Sequence, residues 1–385
     1  MSATIAPSVR LKVIIVGAGV IGLAIGWRLA QAGADVTLYD KDRAGAGASH
    51  AAAGMLAACI EAEPGESHLL ALGRASQALW PAFAAELEQA TGLVIDRRCD
   101  GTIVAALTED DRARLQHQLA FQHTLNLPVA WLSAAEVRRR EPHLASGVIG
   151  ALWSPEDHQV DNRRLAAALQ VAARQAGATL LEQTAVEHIV HDGARVQGVM
   201  VGGALQEADV VILAAGAWSR GVPLVPPAAR LPVRPVKGQM LALRMDPAAP
   251  ILRHVLRVPD VYLVPRHDGR LIIGATVEEK GFDRTITAGG MLSLIEAAWR
   301  AIPAIEDLAI EETWVGFRPG SRDDTPILGS GPVDGLVYAT GHYRNGILLT
   351  PVTARAIADL VLHGTVDPLI QPLSAARFQR QAAAA

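Results

Sequence analysis

The chain reads as a mixed α/β protein, a Rossmann-like dinucleotide-binding domain with a second domain built on an antiparallel sheet. Three observations predict this. Residues 12–40, KVIIVGAGVIGLAIGWRLAQAGADVTLYD, follow the order strand, glycine-rich turn, helix, strand. Residues 186–276 alternate short apolar runs with turn dipeptides such as Asp192-Gly193 and Asp268-Gly269, the pattern of hairpins. Residues 336–362 return to a strand, a turn and a helix.

The opening unit is justified residue by residue. Val13 to Val16 is an apolar run that enters Gly17-Ala18-Gly19-Val20-Ile21-Gly22. Gly17 permits a tight turn, Gly19 lets the backbone approach a pyrophosphate, and Gly22 allows close helix–strand packing. The helix N-terminus offers unpaired N–H groups and partial positive charge to that phosphate. Gly33 stops the helix, and the run Val36 to Tyr39 ends on Asp40. That carboxylate can accept the hydroxyls of an adenosine ribose and would repel a 2′-phosphate, which favours FAD or NAD over NADP. Between Asp40 and Leu56 the sequence turns small, AGAGASHAAAGM over residues 44–55. Such a segment can pass close to a bulky flat ligand.

The later elements follow from spacing. Leu69, Leu72, Leu79, Phe83 and Leu87 predict a helix over 67–91. Ile103 to Leu107 reads as a strand, and Thr108 caps a helix opened by Glu109-Asp110-Asp111. A helix over 165–175 is stopped by Gly177. Val186 to His191 and Arg195 to Val201 form a hairpin, and residues 209–218 read as the nucleotide domain's return strand running into a glycine. Strands are expected at 236–243, 261–264 and 271–276, then a strand at 336–340, a turn at 341–346 and a helix at 351–362. Residues 10–58, 158–222 and 327–365 are accordingly assigned to the nucleotide domain, and 59–157 and 223–326 to a substrate domain. The closing Gln-Ala-Ala-Ala-Ala reads as a frayed end.

Composition narrows the function. Half of the 385 residues are hydrophobic and 19% are charged, with a net charge of −4, so nucleic acid is an unsuitable main partner. Two cysteines, Cys59 and Cys99, provide no disulfide framework and suit a reducing compartment. The twelve histidines show no ligand spacing for a metal. The first ten residues lack an apolar core of signal-peptide length. The apolar stretch from Val13 to Trp27 is too short and glycine-broken for a membrane span. A cytoplasmic protein with no membrane partner is expected.

Three further segments carry chemistry. In VYLVPR, Tyr262 shares one sheet face with Val264 and can present its hydroxyl to a small polar ligand. In WVGFRPG, Arg318 stands at a strand end, where guanidinium can grip a carboxylate bidentately. In GHYRNGILL, residues 341–349, a glycine turn ahead of a helix suits an anion. Asp323 and Asp324 read as a solvated turn, and no serine sits in a Gly-x-Ser-x-Gly elbow.

Together these segments resemble the D-amino-acid oxidase superfamily of FAD-dependent oxidoreductases, and most closely the glycine oxidases of the thiamine pathway (ThiO-type). The matching pieces are GAGVIG with Asp40, SHAAAGML, VILAAGAWS, PVKGQ, YLVPR, LIIGAT, GFRPGSRDDTPILG and GHYRNGILLTP, spread from Leu11 to Leu362. The resemblance implies an FAD-binding domain; because neither Cys59 nor Cys99 lies near Arg318 or residues 341–349 in the sequence, the flavin is expected to be held non-covalently. Gly17, Gly19, Val20, Ile21 and Gly22 would lie by the phosphates, with Tyr39, Asp40 and Val186 by the adenosine. Ala48, Ser49, Ala53, Gly54 and Met55 would line the flavin, and His342, Tyr343, Arg344, Asn345, Gly346, Ile347 and Leu348 would wrap its ring. Arg318 would pair with a substrate carboxylate, Tyr262 and Arg344 adjoining, with no acid–base residue required and no metal.

The implied reaction is oxidative deamination of glycine, sarcosine or small D-amino acids by hydride transfer from the α-carbon to flavin N5, giving glyoxylate from glycine, ammonia and hydrogen peroxide. The partners implied are a small amino acid and molecular oxygen, with homo-oligomerisation left open. The chain has Val277 where one member of the family carries methionine, and Asp260 where that relative carries histidine. Amine preference is left open by these changes. The same fold also carries sarcosine oxidase, D-amino-acid dehydrogenase and tRNA-modifying activities, the last disfavoured by the acidic balance.

Overall fold

A computed structural model describes residues 10–225 and 230–378; the closing residues 381–385 lie outside them. The early apolar runs form a six-stranded sheet in the order Ile327–Ser330, Leu336–Thr340, Val210–Leu213, Lys12–Val16, Asp35–Tyr39, Thr179–Leu181. All neighbours are parallel except the edge strand Ile327–Ser330. Such a sheet needs both faces covered, which explains why its strands are continuous apolar runs rather than alternating ones. The helix Val20–Gln31 is buried on nearly every side because the sheet lies beneath it and the helices Asn162–Gln175 and Thr350–His363 flank it. Thr108 caps the helix Glu109–Thr124 through a capping box with Asp111.

The second large sheet has eight strands, ordered Ala309–Gly320, Arg234–Arg244, Arg270–Gly274, Tyr262–Pro265, Val255–Arg257, Thr102–Ala106, Gly150–Ser154, Ala130–Ser133. It is antiparallel except where Val255–Arg257 runs parallel to Thr102–Ala106. One face buries Leu241, Leu256, Leu263, Ile273 and Ile103 against the helix Ala288–Ala301; the other faces a cavity.

Several elements differ from the sequence reading. The hairpin begins at His188, not Val186, which leaves Val186 free to line the cavity. The strand expected to reach Thr276 ends at Gly274, because Thr276 turns aside to accept the Gln239 N–H at 2.8 Å and donate to Glu278 at 2.6 Å. The strand ending at Gly320 is twelve residues long, starting at Ala309. Its outer half, AIEET, is mostly exposed and carries only one large apolar residue, Ile310, so hydrophobic patterning marks only the inner half. Asp323 and Asp324 are ion-paired, with Arg377 at 2.8 Å and Arg234 at 3.1 Å, rather than simply solvated.

Candidate active site

A cavity of about 490 Å³ is lined by residues of both large sheets. Its dinucleotide end is made of backbone. Gly17 has φ of +107°, and a Cβ there would stand 2.5 Å from the Ala214 carbonyl oxygen. No side chain fits, so peptide groups can come directly against a ligand. The Val20 N–H donates to Ser49 Oγ at 3.0 Å, which ties the helix N-terminus to the small-residue segment. Asp40 accepts from the Ala18 N–H at 2.8 Å and the Asp42 N–H at 2.9 Å. Burial pushes its pKa up against these donors, and free lone pairs remain for ribose hydroxyls.

The segment from Ala48 to Met55 runs along the cavity wall. A Cβ on Gly54 would stand 1.9 Å from the Val160 carbonyl oxygen. Buried Arg266 donates to the Ala53 carbonyl at 2.7 Å and to Asn162 Oδ1 at 3.1 Å. Asn162 in turn donates to the Ser49 carbonyl at 2.8 Å and the His50 carbonyl at 3.0 Å. The wall is thus fixed from behind and, over its small residues, carries little beyond Cβ on the cavity side. A glycine cradle for phosphates continued by a wall this thin fits a flavin dinucleotide.

The other end is made of charged side chains. Arg318 donates to the Thr276 carbonyl at 3.1 Å and lies across Gly238, whose Cβ would meet its guanidinium at 2.6 Å. Among the described residues no carboxylate pairs with it. Burial raises the pKa of the Tyr262 phenol, opposed by the charge and hydrogen bond of Arg318. Burial alone pushes His342 down to about 3, so this ring is neutral; its Nε2 lies 3.2 Å from Thr353 Oγ1. Burial disfavours the Arg344 charge, but Glu61, Tyr343, Glu63 and Glu66 outweigh it and hold that pKa up.

Of the residues expected from sequence to bind cofactor or substrate, all but two line this cavity. Gly22 does not, because it packs the helix on the turn, where a Cβ would stand 2.0 Å from the Gly17 carbonyl oxygen. Leu348 does not, because its peptide turns towards the helix Ser67–Thr91; its carbonyl accepts from Ser76 at 2.6 Å and Trp80 at 2.9 Å. Sequence reasoning missed Glu61, Arg257, Lys41, Trp218 and Arg284, which also line it. A faint signal existed for Arg257, a cation inside the apolar run that leads to Tyr262.

This cradle, acid and thin wall define a flavin-dinucleotide-binding oxidoreductase. The family model described as "FAD dependent oxidoreductase" (DAO) matches residues 12–360, and the chain belongs to that family. It is 41% identical to the glycine oxidase of Geobacillus kaustophilus, over 91% of this chain and 93% of that one. A crystal structure of glycine oxidase from Geobacillus kaustophilus matches with a TM-score of 0.88 at 40% identity, covering 95% of this chain and 98% of that one. The bifunctional protein ThiO/ThiG of Synechocystis is 43% identical over 95% of this chain. The chain spans about half of that relative's length, 54%. No described helix is long and apolar enough to cross a membrane.

Proposed function

We propose that the protein oxidises glycine and other small amino acids, sarcosine and small D-amino acids among them, to the α-keto acid, the free amine (ammonia from glycine, methylamine from sarcosine) and hydrogen peroxide. A place in thiazole formation for thiamine is proposed with it, since relatives named ThiO/ThiG and glycine oxidase match nearly the whole chain. The observation that carries this reading is Arg318, a cavity-lining guanidinium that no carboxylate among the described residues pairs with, in one cavity with the glycine cradle.

Bound FAD would supply the two-electron acceptor for the hydride leaving the α-carbon and would pass the electrons to oxygen. Arg318 would bind the substrate carboxylate through two parallel N–H donors. Tyr262, beside it, would offer a hydroxyl to the same carboxylate and fix its rotation. The residues from Ala48 to Met55 would hold the flavin's face, and the turn from His342 to Ile347 its edge. His342, kept neutral by burial, adds no charge there. The amine enters deprotonated, so the chain needs no base and acts by positioning. Neither Cys59 nor Cys99 lines the cavity, and burial raises the Cys59 thiol to about 12; both support a non-covalent flavin. Two free thiols fit the reducing cytoplasm.

The test is peroxide release by the FAD-loaded protein with glycine, sarcosine, D-alanine and D-proline, beside anaerobic bleaching of the flavin. Peroxide together with bleaching is expected. Bleaching without peroxide would replace the oxidase reading with a dehydrogenase, and neither signal would remove the substrate assignment.

A further inference from the structure

Resting on that amino-acid reading, we propose that the Glu61–Arg257 ion pair is a specificity filter that makes the cavity accept one carboxylate and turn away a second. Of the arginines that line the cavity, Arg318 and Arg257 act on the Tyr262 hydroxyl, and these two differ in one respect. Arg318 meets two carbonyl oxygens and the Tyr262 hydroxyl, and no carboxylate among the described residues, whereas Arg257 is neutralised by Glu61, Nη1 to Oε1 2.5 Å. Arg257 is directly opposite Tyr262 in the antiparallel ladder, so the two side chains leave the same sheet face. All four residues line the one cavity. Arg318, Arg257 and Glu61 all act on the Tyr262 hydroxyl, the cations favouring its ionised form and Glu61 opposing it.

Glu61 is not a freely moving surface acid. Its side chain is 15% exposed, and the turn before it is fixed from within. Buried Asp157 accepts the N–H groups of Ala58 at 3.0 Å, Cys59 at 3.0 Å and Ile60 at 2.6 Å. Gln118 and Gln122 hold the Ile60 carbonyl at 2.7 and 3.2 Å. A second carboxylate on the substrate would therefore meet a placed negative charge, and the guanidinium that would welcome it is already occupied. Like charges brought together in a site of low polarity discriminate strongly. Removing the charge of Glu61 while keeping its shape uncovers Arg257 as a second anion anchor.

Sarcosine and iminodiacetate (N-carboxymethylglycine) differ only by that second carboxylate and form the decisive pair. In the FAD-loaded wild type, kcat/KM for iminodiacetate is expected to lie well below that for sarcosine. In Glu61→Gln the iminodiacetate-to-sarcosine ratio should rise by at least about tenfold, and Arg257→Met added to Glu61→Gln should reverse the gain. Dead-end ligands read the filter without turnover, through the flavin absorption change on titration with acetate and with malonate. Glu61→Gln should tighten malonate relative to acetate by a similar factor. Peroxide from no amine at all would defeat the amino-acid reading, yet the malonate-to-acetate ratio would still decide the filter. Equal effects on both members of each pair, or a gain that survives loss of Arg257, would overturn it. Efficient oxidation of iminodiacetate by the wild type would do the same without any variant.

Discussion

The two ends of the cavity exclude the wrong ligand by opposite means. At the dinucleotide end the contact surface is backbone, and selectivity comes from the absence of side chains at Gly17, Gly19 and Gly54. At the substrate end the surface is guanidinium, carboxylate and phenol, and selectivity comes from which charges are already paired. The first kind of site tolerates no added volume. The second tolerates changes of shape and responds to changes of charge. Substitutions of each kind, placed at each end, can break this contrast.

The largest effect is expected at Gly22. Its added methyl would stand 2.0 Å from the Gly17 carbonyl oxygen, and the obstacle is backbone, which cannot swing aside. Gly22→Ala should cost at least ~3 kcal/mol through overpacking and yield protein without the yellow flavin band. The ratio of absorbance at 450 nm to that at 280 nm checks this. Wild-type flavin content would show that the cradle gives way, and the contrast with the other end would fall. Arg318→Ala comes next. Its flavin content should stay normal, while kcat/KM for glycine falls by about 10²–10³. A simple amine without a carboxylate should lose far less. Equal losses on both substrates would show that Arg318 supports the structure and does not anchor the carboxylate.

The same contrast explains what could be read from the sequence. The dinucleotide end is local: Gly17 to Asp40 holds strand, turn, helix and acid within one stretch, and each residue type reports its own task. The small segment after it was legible for the same reason. The substrate end joins residues far apart in the chain. Glu61 meets Arg257 only because the turn that Asp157 pins reaches the cavity rim beside the strand Val255–Arg257. No periodicity records that pairing. Leu348 shows the converse error, since GHYRNGILL reads as one continuous contact, yet the chain turns after Ile347 and the Leu348 carbonyl goes to Ser76 and Trp80. The strand Ala309–Gly320 was half hidden because an exposed stretch without alternating burial looks alike in a loop and in an edge strand.

Asp157 sharpens the comparison from the substrate side. It is a buried carboxylate whose pKa burial raises, while the N–H groups of Cys59 and Ile60 and the amide of Gln77 act to lower it. Asp157→Ala would leave three buried N–H groups without an acceptor. A loss of about 3 kcal/mol is expected, read as a lower urea midpoint. Asp157→Asn keeps one oxygen and should lose roughly half as much. Flavin content should hold in both, because the dinucleotide end does not depend on this turn. Loss of flavin in step with stability would merge the two ends into one cooperative unit.

The smallest effect concerns His342, whose ring keeps its neutrality by burial and not by pairing. Its folded pKa is pushed down from 6.5 to about 3, so between those values the unfolded chain holds a proton that the folded chain does not. Stability from this group is therefore complete above pH 6.5 and declines as pH falls towards 3, by about 1.4 kcal/mol for each pH unit once well below 6.5. His342→Gln removes the titration and keeps a polar group near Thr353, so its stability should fall less steeply between pH 6 and 4. Urea unfolding of both proteins at pH 7, 6, 5 and 4 measures the difference in slope, expected to be close to one proton. Identical slopes would mean that the ring finds a proton partner in the folded chain, and that its neutrality is an effect of pH rather than of packing.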